Sequence, residues 1–221
     1  SLHFVPLDVS RELVLRAAEQ ARPFVPDQRI HPVMADVERS TGLRQWLDGT
    51  LGTDRKRGFT FFGMVPNLMP AAVVSTLDGL VRPGDLVLLS ANMVRDGGDA
   101  AIREVLPQYD NPETCAWLLT LLEDSGVPPE NYEFSFSIVE DPEHDGLRRI
   151  EARVVFQRET RANVMGDTVD FCSGFVLRIF FSYRYTERQL EQLLSRIGVQ
   201  KMDSWMLGNG EEGVFLCRRT D

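Results

Sequence analysis

Four polar or glycine positions fall where strand-like runs hand over to turns or helices, which is where open α/β sheets bind ligands. Asp8 follows the run 2–7 and precedes Ser10, a helix N-cap type. A carboxylate there can accept from both hydroxyls of a ribose, or serve as a second cap residue. Asp36 closes the next run, 29–35, at the same sheet edge. Gly63 ends an apolar run of Phe59, Phe61 and Phe62. Asn67 then sits in a turn with Pro66, ahead of a helix behind Pro70. The spacing lets the sheet present Asn67 to a ligand, or lets Asn67 close an Asx-type turn before Pro70.

The elements that must position these residues alternate strand, helix, strand, strand, helix, strand, the cadence of a doubly wound α/β sheet. Ser10 caps a helix with Leu13, Val14, Ala17, Ala18 and Ala21 on one face. Residues 40–57 read as a polar loop with at most a short helix at 43–47. A helix over 71–80 uses Val74, Leu77 and Leu80, and Pro83-Gly84 turns into a buried strand at 85–90. The middle breaks the pattern. Asn111-Pro112 starts an amphipathic helix (Cys115, Leu118, Leu119, Leu122) that stops near Gly126. Phe134, Phe136 and Ile138 alternate, as do Ile150, Ala152, Val154 and Phe156, and 175–185 is almost continuously apolar. These read as antiparallel strands of an inserted α+β lobe. Thr186-Glu-Arg-Gln189 is a capping box for a helix ended by Gly198, and 199–207 with 214–217 can close as a hairpin. The expected parts are 1–98, a Rossmann-like cofactor-binding part, 99–181, a substrate lobe, and 182–221, a return to the sheet.

Composition narrows the function classes. With a net charge of -9 over 221 residues and no basic block, the chain is no phosphate-tracking nucleic-acid binder, and no apolar run reaches membrane-spanning length. Three dispersed cysteines without a C-x-x-C give neither a disulfide framework nor a cysteine zinc site, and point to a cytoplasmic protein. There is no signal peptide, and a start at Ser1 points to a fragment or a processed chain. Gly208-Asn-Gly210-Glu-Glu-Gly213 spells the dinucleotide fingerprint but precedes a strand and carries two carboxylates, so it reads as a hairpin turn. Asp141-Pro-Glu-His-Asp145-Gly146 opens like a calcium loop, yet Ala152 stands where the bidentate glutamate belongs, so it reads as an acidic turn. His3, His31 and His144 are scattered and give no metal or catalytic triad; no nucleophile elbow or Walker loop occurs.

Several short motifs recur in order: Pro6-Leu-Asp8-Val-Ser10, Ala35-Asp36-Val37, Phe62-Gly63-Met-Val-Pro-Asn67, Pro83-Gly84-Asp85, Asn92-Met-Val-Arg95-Asp96, Tyr109-Asp110-Asn111 and Arg149-Ile150-Glu151. Together, from Phe4 to the carboxyl terminus, they resemble the histidine-specific S-adenosylmethionine (SAM)-dependent methyltransferase family. Its best-known member trimethylates the α-amine of histidine in ergothioneine synthesis. The resemblance implies a Rossmann-like methyltransferase sheet with an inserted substrate lobe, SAM as cofactor and a small amine or amino acid as substrate. It implies that Asp8 holds the cofactor ribose, that Asp36 and Val37 meet the adenine, and that Gly63 borders the cofactor. Asn67 and Tyr109 would meet the head group of the substrate amino acid. The chain departs from the family twice. The family's glycine-rich loop and first strand, central in the usual sheet, lie upstream of the D-V-S step. A further segment or a second chain must then complete the sheet, or the domain is a degenerate, non-catalytic binding or scaffold module. The family's substrate-reading E-x-S becomes Phe180-Phe181-Ser182: Ser182 stays, but Phe180 replaces a glutamate that would grip an imidazole. The expected activity is therefore N-methyl transfer to a small amine or amino acid other than histidine.

Overall fold

A computed structural model describes residues 1–95 and 99–220. Asp96 of the 92–96 motif and the expected boundary at residue 98 lie outside the described residues. In chain order the elements are β1 (Leu7–Asp8), α1 (Arg11–Ala21), β2 (Val33–Met34), α2 (Leu43–Leu51), β3 (Gly58–Phe61), α3 (Pro70–Leu80), β4 (Leu86–Asn92), α4 (Asp99–Val105), α5 (Pro112–Asp124), β5 (Tyr132–Glu140), β6 (Arg148–Phe156), β7 (Thr160–Val164), β8 (Asp167–Phe171), β9 (Val176–Arg184), α6 (Glu187–Ser195), β10 (Val199–Met206) and β11 (Glu212–Arg219).

The class is α/β, as expected, and the sheet that bears the parallel pairs is divided. β1 pairs in parallel with β2, while β3 and β4 pair in parallel within a four-stranded sheet of order β10-β11-β4-β3. Among the described residues nothing pairs with the second edge of β1 or of β3. The terminal hairpin forms as read from the sequence, with the glycine-rich run 208–213 as its turn. α3 and α6 cover one face of the four-stranded sheet, burying Val73, Leu77 and Leu80, and Leu190, Leu193 and Leu194, against Val87, Leu89, Phe215 and Cys217. On the opposite face Leu86 is exposed, and Leu88, Val214 and Leu216 are only half-buried.

The lobe is a second antiparallel sheet of order β5-β6-β9. Its outer end packs on α5 and the β7–β8 hairpin through Leu122, Val154, Phe156 and Ala162. Its near end packs on α4 through Ile102 and Ile150. β9 runs unbroken through 181 and 182, and Phe181, Tyr183 and Tyr185 join the main core. The lobe is thus built into the domain rather than hung from it.

Three local expectations change. The strands expected over 2–7 and 29–35 reduce to two residues each, although Phe4 still bridges Ile30. The carbonyls of Phe4, Pro6 and Asp8 accept from His31, Val33 and Ala35, but Pro6 has no N–H to return its rung. Residues 40–57 hold a nine-residue helix, α2, longer than the short helix at 43–47 that the sequence allows. Tertiary contacts outweigh Gly49: Leu43 and Leu47 are buried, Arg44 donates to the carbonyls of Asp78 and Val81 at the end of α3, and Asp48 pairs with Arg57 and Arg82. The β7–β8 hairpin and α4 have no counterpart in the sequence reading. Among the described residues no helix is long and apolar enough to cross a membrane.

Candidate functional site

The expected site residues fall into three groups. The first lies at the carboxyl edge of β1 and β2. Asp8 Oδ1 accepts from Ser10 N at 2.8 Å, and Ser10 in turn caps α1. Asp8 therefore takes the turn role that the sequence left open, and its Oδ2 remains without a hydrogen-bond partner among the described residues. Asp36 is built the same way, accepting from Glu38 N at 2.9 Å and pairing with Arg39 Nε at 3.6 Å. Both are half-exposed, and Val37 packs beside them against the main core.

The second group is the turn after β3. Gly63 adopts φ 69°, in the left-handed region that favours glycine, and its N–H donates to Ser90 Oγ on β4 at 2.9 Å. Asn67 closes backward rather than forward: its Nδ2 donates to Gly63 O at 2.9 Å, leaving Oδ1 free of hydrogen bonds among the described residues. The turn Val65–Asn67 packs against both β4 and β9.

The third group comes from segments far apart in the chain. Alternation along β9 puts Phe180, Ser182 and Arg184 on one face. Tyr109 lies over that face, its ring 5.6 Å from Phe180 and tilted by 37°. Asn92, the last residue of β4, donates through Nδ2 to Ser182 Oγ at 2.8 Å, and Tyr109 OH lies 3.5 Å from each of Asn92 Nδ2 and Ser182 Oγ. Arg184 Nη2 donates to Tyr109 OH at 2.7 Å. Tyr109, Phe180 and Ser182, expected to bind substrate, therefore meet in one wall of polar and aromatic contacts on β9. Asn92 and Arg184 belong to that wall and were not singled out in the sequence. The signals were present, since Asn92 opens a quoted motif and Arg184 follows Ser182 by one strand period. No hydrogen bond or ring contact joins Asp8 or Asp36 to this cluster among the described residues.

The other face of β6 and β9 carries buried charge. Glu151 is 1% exposed and accepts from Arg149, from Arg153 Nε at 2.6 Å and from Arg178 Nη1 at 3.4 Å. Asp141, in the turn read as acidic, points inward. It accepts from Tyr183 OH at 2.6 Å and Arg149 Nη1 at 3.1 Å, and shares a hydrogen bond with His144 Nδ1 at 2.8 Å. Burial alone would raise both carboxyls. Hydrogen bonds from Tyr183 and His144 outweigh it at Asp141, those from Arg149 and Arg153 outweigh it at Glu151, and both are held below the usual carboxylate range. Tyr183 OH also touches Met69 Sδ at 3.4 Å, which ties this network to the segment just after Asn67. No group of three or more His, Cys, Asp or Glu able to hold a metal ion occurs among the described residues.

The family model described as histidine-specific methyltransferase, SAM-dependent, matches residues 1–219. Comparison with curated proteins finds no match. Among solved structures, the chain is similar to a SAM-dependent methyltransferase from Clostridium acetobutylicum, with TM-score 0.47 and 11% identity over 100% of this chain and 76% of that one. It is similar also to the CcbJ methyltransferase of Streptomyces caelestis, with TM-score 0.46 and 10% identity over 99% and 80%. SAM-bound CalS10, an amino pentose methyltransferase from Micromonospora echinaspora, gives TM-score 0.42 and 11% identity over 99% and 74%. The family match spans nearly the whole sequence, so the chain belongs to the histidine-specific, SAM-dependent methyltransferase family, with SAM as its cofactor.

Proposed function

We propose that this chain methylates the nitrogen of a small amine or amino acid that has an apolar side group and is not histidine. The observation that carries this reading is Phe180 packed on Tyr109 beside Ser182. A phenyl ring cannot accept the N–H of an imidazole, and burying such a donor unpaired costs on the order of 1–3 kcal/mol. The same ring favours methylenes or an aromatic group.

The residues at the β1–β2 edge fit the adenosine part of the cofactor. Asp8 has one oxygen committed to Ser10 N and the other open for a ribose hydroxyl, while Asp36 and Val37 stand ready for the adenine. Gly63 allows close approach, since nothing stands within 4 Å of where a Cβ would project. When bound, SAM supplies a methyl group on a sulfonium, already activated for in-line attack. The chain's own task is to hold a deprotonated amine, for which Asn67 Oδ1 is a free acceptor and Tyr109 a second contact. Positioning of this kind supplies most of the rate in such a reaction.

We also propose that a further extended segment or a second chain completes the sheet. The unpaired edges of β1 and β3 support this, as does the uncovered face of Leu86, Leu88, Val214 and Leu216. The split sheet equally favours a second reading, a non-catalytic binding or scaffold domain. We place the protein in the cytosol because Cys115, Cys172 and Cys217 are all free thiols. Calorimetric titration with S-adenosylhomocysteine separates the two readings. One saturable site per chain, with Asn67→Ala sparing that site but losing turnover in a screen of amines, supports the methyltransferase. No heat from a folded sample supports the scaffold.

A further inference from the structure

Of the three arginines buried among the described residues, Arg57 and Arg149 each hold carboxylates. Arg184, 4% exposed, holds none. Its Nη2 donates to Tyr109 OH and its Nη1 to the backbone carbonyl of Glu211 at 3.2 Å, while its Nε is buried without a hydrogen-bond partner among the described residues. The Glu211 carboxylate makes no ion pair with Arg184 and accepts instead from Gln108 Nε2 at 2.9 Å. The guanidinium carbon lies 5.5 Å from the centroid of the Tyr109 ring. Among the described residues no carboxylate pairs with this buried cation; a cation withdrawn from water without such a pair is costly, and a ligand anion is what would offset that cost. Beside it stand Tyr109 OH, Ser182 Oγ and Asn92 Nδ2, hydrogen-bonding groups suited to the second oxygen of a carboxylate. The planar fork of arginine matches a carboxylate better than any other side chain does.

We propose that Arg184 reads a carboxylate on the methyl acceptor, so that the acceptor class is an amine bearing an acid group as well as an apolar side group. This rests on the reading of the Tyr109, Phe180 and Ser182 cluster as the acceptor site. The alternative is that Arg184 only pins the β10–β11 turn to Tyr109. In that case its loss would lower stability without touching ligand charge preference.

The test is equilibrium binding of leucine, phenylalanine and 4-methylpentanoate, each beside its own carboxamide, with melting temperature and S-adenosylhomocysteine binding measured in parallel. In the wild type at least one carboxylate binds about tenfold or more tightly than its amide. Arg184→Met brings that ratio to within about twofold, and Arg184→Lys retains part of it. Arg184→Gln, which keeps hydrogen-bonding capacity without charge, decides the matter if the methionine variant does not fold. Failure of every carboxylate to outbind its amide overturns the proposal, as does a preference that survives in a folded variant lacking the charge. Normal S-adenosylhomocysteine binding without an acid preference sinks this inference alone. An acid preference without S-adenosylhomocysteine binding sinks the methyltransferase reading and leaves Arg184 as the anion site.

Discussion

At the β1–β2 edge, Asp8 and Asp36 are half-exposed, held by backbone amides two residues ahead, Asp8 at the end of two-residue β1 and Asp36 just beyond two-residue β2. In the lobe, Asp141 and Glu151 are almost wholly buried, held by arginines, a tyrosine and a histidine, between strands of nine residues. Four carboxylates of one chain thus serve two purposes. At the edge, Asp8 keeps Oδ2 without a hydrogen-bond partner among the described residues and Asp36 Oδ2 faces only the exposed Arg39, and both are proposed to meet the cofactor. Those in the lobe have their oxygens taken up and fix β6 against β9, the strand that carries Phe180, Ser182 and Arg184 of the proposed acceptor site. The proposed acceptor wall is therefore braced by buried ion pairs, whereas the proposed cofactor edge is shaped by local turns beside a strand with one unpaired edge among the described residues.

The contrast breaks most visibly at Glu151. Glu151→Ala strands Arg149 in the interior with only Asp141 opposite, and should cost about 3–5 kcal/mol, seen as a large fall in melting temperature. Acid should attack the same network. The folded pKa values of Asp141 and Glu151 lie below their unfolded values, so below the ordinary carboxylate range the unfolded chain binds more protons than the folded one. Their contribution is complete above that range and disappears as pH falls through the depressed values. A melting temperature that declines steeply below about pH 4, and declines less in Glu151→Gln, is the expected record. At the exposed edge, Asp8→Ala and Asp36→Ala should each weaken S-adenosylhomocysteine by about tenfold or more while leaving the melting temperature nearly unchanged. Loss of stability without loss of binding would reverse the roles assigned to the two regions. The smallest effect is expected at Ser90→Ala, which removes the acceptor for Gly63 N and should cost about 1 kcal/mol in denaturant unfolding.

How much of this was legible depended on the range of the forces involved. Caps at Ser10, Asn111 and Thr186 form as read, because an N-cap needs only a side chain and an amide three residues ahead. The terminal hairpin is equally local, set by alternating residues around a glycine turn. Of α2 only the short stretch 43–47 was legible, because its extension to Leu51 is held by Arg57, Arg82 and the end of α3, which lie outside the helix. The β7–β8 hairpin has little apolar alternation of its own; Val164, Asp167, Thr168, Val169 and Asp170 are exposed, and its anchors are Ala162 and the stacking of Phe171 on Phe156.

The sequence by itself determined the class of the domain, its order of motifs and hence its family, and most of the residues at the candidate site. These are properties of spacing, which survives without a partner in space. Only the tertiary structure decided that Asp141 turns inward, that Asn92 and Arg184 join Tyr109, and that Arg184 pairs with no carboxylate among the described residues. Each of those depends on burial and on which distant side chain happens to lie opposite. Electrostatic cost is set by surroundings drawn from four or five separate segments, and no window of sequence contains them.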